Sequence, residues 1–158
     1  MKKVDIKGGQ MTFGQRIELG RIVSDKDLSE YKKFRACMVC LDPKWTVRDM
    51  PRSMKYWEAV LEGISYWVQR EAVELKYNPT PEELAAGIEA FTLHTGEMTT
   101  IMAIAEQFNT DPDIILEWKY GKVFNILFTN LQAHLYRERL NKQLAKKAQN
   151  EARKHRRK

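Results

Sequence analysis

Between Arg52 and Lys76 the apolar side chains Met54, Trp57, Val60, Leu61, Ile64, Trp67, Val68 and Leu75 return every three or four residues, the period of one helix face and not of a strand. A stripe this long and this aromatic has to be covered by other apolar surface. It therefore predicts a long core helix and commits the chain to helices packed on helices.

The remaining segments share that period. Thr12 and Gln15 have the spacing of a capping box and predict a first helix over about Phe13–Val23. Leu28, Tyr31, Phe34, Met38 and Leu41 predict a second helix, ended by Asp42-Pro43. Thr80, Pro81 and Glu83 combine a capping box with proline at the first helical position and predict a fourth helix to about Leu93. Gly96 breaks the pattern, a fifth helix follows over Met98–Phe108, and Asp111-Pro112 opens a sixth. That last helix carries Tyr120, Phe124, Leu127, Leu131 and Leu135 on one stripe, with a bend near Gly121 and a continuation through Leu140 and Leu144. The expected fold is an all-α compact bundle of about six helices, with an extended N-terminal arm and a basic helical C-terminal tail.

At 158 residues the chain is long enough for one real core. Residues 1–11 contain Val4, Ile6 and the pair Gly8-Gly9, a composition that suits a flexible arm. Residues 12–136 form the expected helical domain. Residues 137–158 form a basic tail, helical or disordered. The formal charge of +6 lies entirely in that tail: ten Lys or Arg stand there against Glu138 and Glu151, whereas residues 1–136 hold 17 basic and 19 acidic side chains. Attraction to an anionic partner must act through Lys146, Lys147, Arg153, Lys154, Arg156, Arg157 and Lys158. A solvated terminus and anionic contact stand side by side as readings of these residues. With no aromatic residue interleaved, they can touch phosphate without reading bases. No apolar run approaches the length of a membrane span, and two cysteines with no secretory leader suggest a soluble protein of a reducing cytoplasm.

Ala105, Asn109, Ile115 and Trp118 match the spacing of a DNA-binding helix-turn-helix. These four positions specify only how two helices meet at a turn. The residues that would face a DNA groove are Asp111, Pro112, Asp113, Leu116 and Glu117, and carboxylates there oppose phosphate while suiting a helix N-terminus. The expectation is a packing corner. Cys37 and Cys40 have C-x-x-C spacing but no companion ligands, and two cysteines on one helix are read as small apolar residues. His94, His134 and His155 stand apart from one another, and the pairs Glu82-Glu83 and Asp111-Asp113 fall at helix starts. Trp45, Trp57, Tyr66 and Trp67 are weighed as core against a stacking platform, in favour of core. The expectation is no catalytic, cofactor-binding or metal site.

The stretch NTDPDIILEWKYGKVFNILFTNLQAHLYRERL, from Asn109 through Leu140, together with the entry MTFGQRIELG, resembles small all-helical proteins encoded among the tail and head-tail genes of tailed bacteriophages and prophages. The likeness is a capped helix leading through a Glu-Trp turn into a Tyr/Phe-rich amphipathic helix and a charged end. It implies an assembly chaperone or a small virion part at a connector or tail ring. It also implies homo-oligomers, other phage structural or assembly proteins as partners, and a place in the host cytoplasm during assembly or in the virion. Val4, Ile6, Trp45, Tyr120, Phe124, Leu140 and Leu144 are the expected protein interface. Tail chaperones of this kind are often acidic, so the basic end departs from them and favours a part near packaged DNA. The alternative is a helical protein that binds DNA or RNA through its tail without sequence preference.

Overall fold

The computed structural model describes residues 3–155, with side chains as far as Ala152. Among the described residues the secondary structure is seven α-helices and a 3₁₀ turn over Val47–Asp49, with no strand. The helices are α1 (Phe13–Ser24), α2 (Glu30–Leu41), α3 (Met50–Glu74), α4 (Pro81–Ala85), α5 (Ile88–Phe108), α6 (Pro112–Glu117) and α7 (Tyr120–His155). The chain divides into two compact units, Met1–Phe124 and Asn125–Lys158. The all-α class follows the periodicity, and both capping boxes form. The Thr12 hydroxyl accepts from the Gln15 N–H at 3.1 Å while the Gln15 side chain accepts from the Thr12 N–H at 3.0 Å, and Thr80 and Glu83 repeat the exchange at the start of α4.

In the first unit α1 packs on α2, α3 and α6, and α5 packs on α4 and α6. Trp67 of α3 sits in an aromatic cluster, edge-on to Tyr120 at 4.9 Å and to Phe124 at 5.1 Å between ring centres. Phe34 of α2 meets Trp45 and Trp57 edge-on at 5.9 and 5.6 Å. The Trp45 indole N–H donates to the buried Ser53 hydroxyl at 2.6 Å, so neither polar group is stranded in the core. Arg16 makes a two-pronged contact to Glu71 at 2.9 and 2.6 Å, and the Tyr120 hydroxyl donates to the same carboxylate. Burial, then the neighbouring Glu71 carboxylate, raises the Tyr120 hydroxyl far above its ordinary value.

Three expectations are corrected. The N-terminal segment is docked, not a free arm. Ile6 and Met11 are buried, the Trp67 indole N–H donates to the Ile6 carbonyl at 2.7 Å, and the Tyr56 hydroxyl bonds both the N–H and the carbonyl of Val4. A turn over Asp5–Gln10, with Gly9 at φ +71°, brings this segment against the helices.

The helix opened by Pro112 also stops earlier than its apolar stripe suggested. α6 ends at Glu117, Trp118 is extended, and α7 starts afresh at Tyr120. The backbone groups freed by this break pair with the N-terminal segment. Phe13 N–H donates to the Trp118 carbonyl at 2.8 Å, Tyr120 N–H to Met11 at 2.8 Å and Gly121 N–H to Gly9 at 3.2 Å. The segment thus caps the first N–H groups of α7, and Thr12 and Lys119 form an isolated antiparallel bridge. The third correction lies between Pro81 and Phe108. Gly87, at φ +84°, ends α4 after five residues and lets the next helix begin at Ile88, while the break expected at Gly96 is present, its backbone non-helical at φ 49° and ψ −134°.

Candidate interaction surfaces

The corner between α5 and α6 has the helix-turn-helix geometry that its spacing predicts. Asn109 takes the left-handed conformation at φ 47° and ψ 53°, Ala105 and Ile115 are buried, and Asp111 caps α6 by accepting from the Asp113 N–H at 2.8 Å. Trp118 lies edge-on to Phe108 at 5.3 Å, with the Lys122 ammonium 3.2 Å above its ring. Asp113 and Glu117 are exposed. Leu116 is half-buried, on a helix that packs against α1. The second helix spans only Pro112–Glu117, and its outward side chains carry negative charge. This is a packing corner whose outer surface repels phosphate.

Cys37 is buried and Cys40 half-buried, and both thiols are free. Burial pushes the Cys37 thiol up to about 12 and the Cys40 thiol to about 11. Both stay protonated at neutral pH, which disfavours the thiolate that metal binding or disulfide exchange requires. Among the described residues no three His, Cys, Asp or Glu side chains gather into a metal-holding group. No helix among them is long and apolar enough to cross a membrane.

The residues expected at a protein interface separate into two sets. Ile6, Trp45, Tyr120 and Phe124 are buried inside the first unit and Val4 is half-buried, so the fold itself takes up the surface they would have offered. Leu140 and Leu144 are exposed, as is Tyr136 one turn earlier, at 40, 54 and 60% of full accessibility. Every residue from Arg139 to Ala152 is exposed, Lys146 and Lys147 included. The side chains of Arg153 and Lys154, with Arg156, Arg157 and Lys158, lie outside the described residues.

Leu140 and Leu144 do not prolong the stripe of Tyr120, Phe124, Leu127, Leu131 and Leu135. At about 100° per residue, Leu140 points about 140° away from Leu135 and about 180° away from Leu131. Tyr136, Leu140 and Leu144 follow one another at four-residue steps and lie within about 80° of each other. α7 therefore carries two apolar faces on opposite sides, one before about residue 136 and one after it.

A second exposed apolar surface, which the periodicity argument passed over, lies on α4 and α5. No residue from Pro81 to Thr100 is buried, yet the stretch contains Leu84, Phe91, Leu93 and Met98, and Met102 lies one turn beyond. Met98 and Met102, at 59 and 51% exposure, line a groove of about 940 Å³ with His94, Glu106 and Pro112. The surroundings are acidic. From Tyr77 to Trp118 the chain has eight Asp or Glu and neither Lys nor Arg. That signal was present in the sequence, but a balance taken over the whole of residues 1–136 averages it away.

Compared with protein families, with curated proteins and with solved structures, the chain matches none.

Proposed function

We propose that this is a non-enzymatic interaction protein that works by burying apolar helix surface against other chains, in the manner of the tail-assembly and head-tail proteins of tailed bacteriophages that its sequence resembles. The carrying observation is the outer face of α7, where Tyr136, Leu140 and Leu144 are exposed in a stretch that buries none of its residues. Covering what remains exposed of each such side chain, about half of it, is worth about 1 kcal/mol, and clustered exposed apolar groups mark interaction sites. The resemblance supplies the setting: host cytoplasm during assembly, with phage structural proteins as partners.

The mass of the full chain in solution, followed by co-purification from its native cell, tests the reading. An oligomer or a stable protein partner is expected, and both are lost on removing residues 137–158. A lone monomer without a protein partner contradicts it.

The exposed Lys146 and Lys147 favour a second reading, attachment to DNA or RNA through phosphate alone. It predicts nucleic-acid affinity that falls steeply with salt and vanishes with the same deletion. Absence of binding at low salt removes it.

A further inference from the structure

From the two exposed surfaces we infer that the protein assembles head to tail, with the outer face of the distal α7 helix of one copy seated in the Met98–Met102 groove of the next. The inference rests on the interaction reading above and names the partner as a second copy of this chain.

The two surfaces complement each other in apolar character and in charge. The helix offers Tyr136, Leu140 and Leu144 at four-residue steps, the spacing with which an amphipathic helix sets anchors into a groove. The groove offers flexible thioether side chains, which adapt to the shape of an inserted helix. Lys146 and Lys147 lie beyond the apolar steps on the same helix, within a terminal segment of ten basic and two acidic residues. Glu106 lines the groove and Asp111 and Asp113 flank its Pro112, within the stretch that holds no Lys or Arg. A parallel, in-register pairing of α7 with α7 would instead set Lys147, about 20° around the helix from Leu140, against its own copy. Basic helix on acidic groove is the arrangement in which attraction steers encounter and like-charge pairing is avoided.

The two faces are different patches, so the contact is heterologous: each copy has one of each and can be joined at both ends. Such contacts close into rings or run on as filaments.

Two variants that each disable one face test this. Leu140→Asp with Leu144→Asp removes the helix anchors, and Met98→Asp with Met102→Asp removes the groove. All four positions are exposed, and retained helical circular dichroism checks the fold. In analytical ultracentrifugation the unaltered chain is expected to form oligomers that dissociate with dilution and with salt. Each variant alone is expected to be a monomer. Mixed, the two should form a one-to-one dimer, because one contributes an intact helix and the other an intact groove.

Charge reversal gives an independent route. Lys146→Glu with Lys147→Glu should weaken assembly at least tenfold, and adding Glu106→Lys with Asp113→Lys in the partner copy should restore it. A mixture that stays monomeric overturns the inference, as does an unaltered chain that is monomeric at every concentration. If that monomer holds a different protein through Leu140 and Leu144, head-to-tail docking fails while the interaction reading stands. If it holds none, both fail.

Discussion

Replacing Gly63 with alanine distinguishes a docked N-terminal segment from a free one by the sign of the stability change. Gly63 lies in the middle of α3, where glycine to alanine on a bare helix would stabilise by about 1 kcal/mol. Here a Cβ at Gly63 would stand 2.7 Å from Ile6 Cγ2, 2.8 Å from Ile6 Cβ and 3.1 Å from the Lys7 nitrogen. Ile6 is 2% exposed and cannot yield outward without leaving its site. Expelling it forfeits about 1.5–3 kcal/mol of side-chain burial and about 1 kcal/mol for the bond from the Trp67 indole to its carbonyl. Against the helix-propensity gain, the net expected change is destabilisation by about 1.5–3 kcal/mol. Urea unfolding followed by tryptophan fluorescence reads it as a lowered midpoint, and Trp67 reports the altered contact directly. An unchanged or raised midpoint would refute the docking of residues 4–11 on α3.

Further outcomes follow from the core and the corner. Glu71→Gln should cost about 2 kcal/mol in the same assay, because Arg16, 11% exposed, loses a two-pronged carboxylate partner and Tyr120 loses its acceptor. Asn109→Gly should be neutral or slightly stabilising and Asn109→Ala destabilising by about 1 kcal/mol, since only the backbone conformation at φ 47° is at stake. With its folded thiol held at about 12 against an ordinary 9.0, Cys37 contributes stability that is full below the unfolded value and fades as pH rises toward the folded one. Unfolding midpoints should therefore fall less above about pH 9 in Cys37→Ala than in the unaltered chain. The Arg70–Glu74 pair acts in the opposite direction. Its hydrogen bonds hold the Glu74 carboxyl below its ordinary 4.5, so its contribution is present above that range and is lost as pH falls through the lower folded value, and Glu74→Gln should flatten the acid limb.

What was legible in the sequence is what short-range chemistry decides. The boxes at Thr12–Gln15 and Thr80–Glu83, the left-handed Asn109 and the Asp111 cap each involve groups within a few residues of each other, and each forms. The docked N-terminal segment was not legible, because Val4 and Ile6 answer to Tyr56 and Trp67, and Gly9 and Met11 to the backbone at Gly121 and Tyr120. Nothing within residues 1–11 signals partners that far along the chain. The same pairing hides the break at Trp118, since the apolar stripe runs on past a bend whose freed N–H groups are satisfied from elsewhere. The two faces of α7 are different: angular arithmetic on Leu135 and Leu140 suffices to separate them, as a local charge balance suffices to find the acidic stretch from Tyr77 to Trp118.

The claim that function resides on the outer face of distal α7 is tested most directly by the alkylation rate of Leu140→Cys as a function of protein concentration. Cys37 and Cys40 contribute little background at neutral pH, because burial keeps both thiols protonated. Gln149→Cys, exposed and about 180° around the helix from Leu140, is the control. The prediction is that modification at position 140 slows several-fold between low and high micromolar protein while the rate at position 149 stays level. Equal rates at position 140 across that range, with no slowing when the soluble proteins of its native cell are added, would contradict the account.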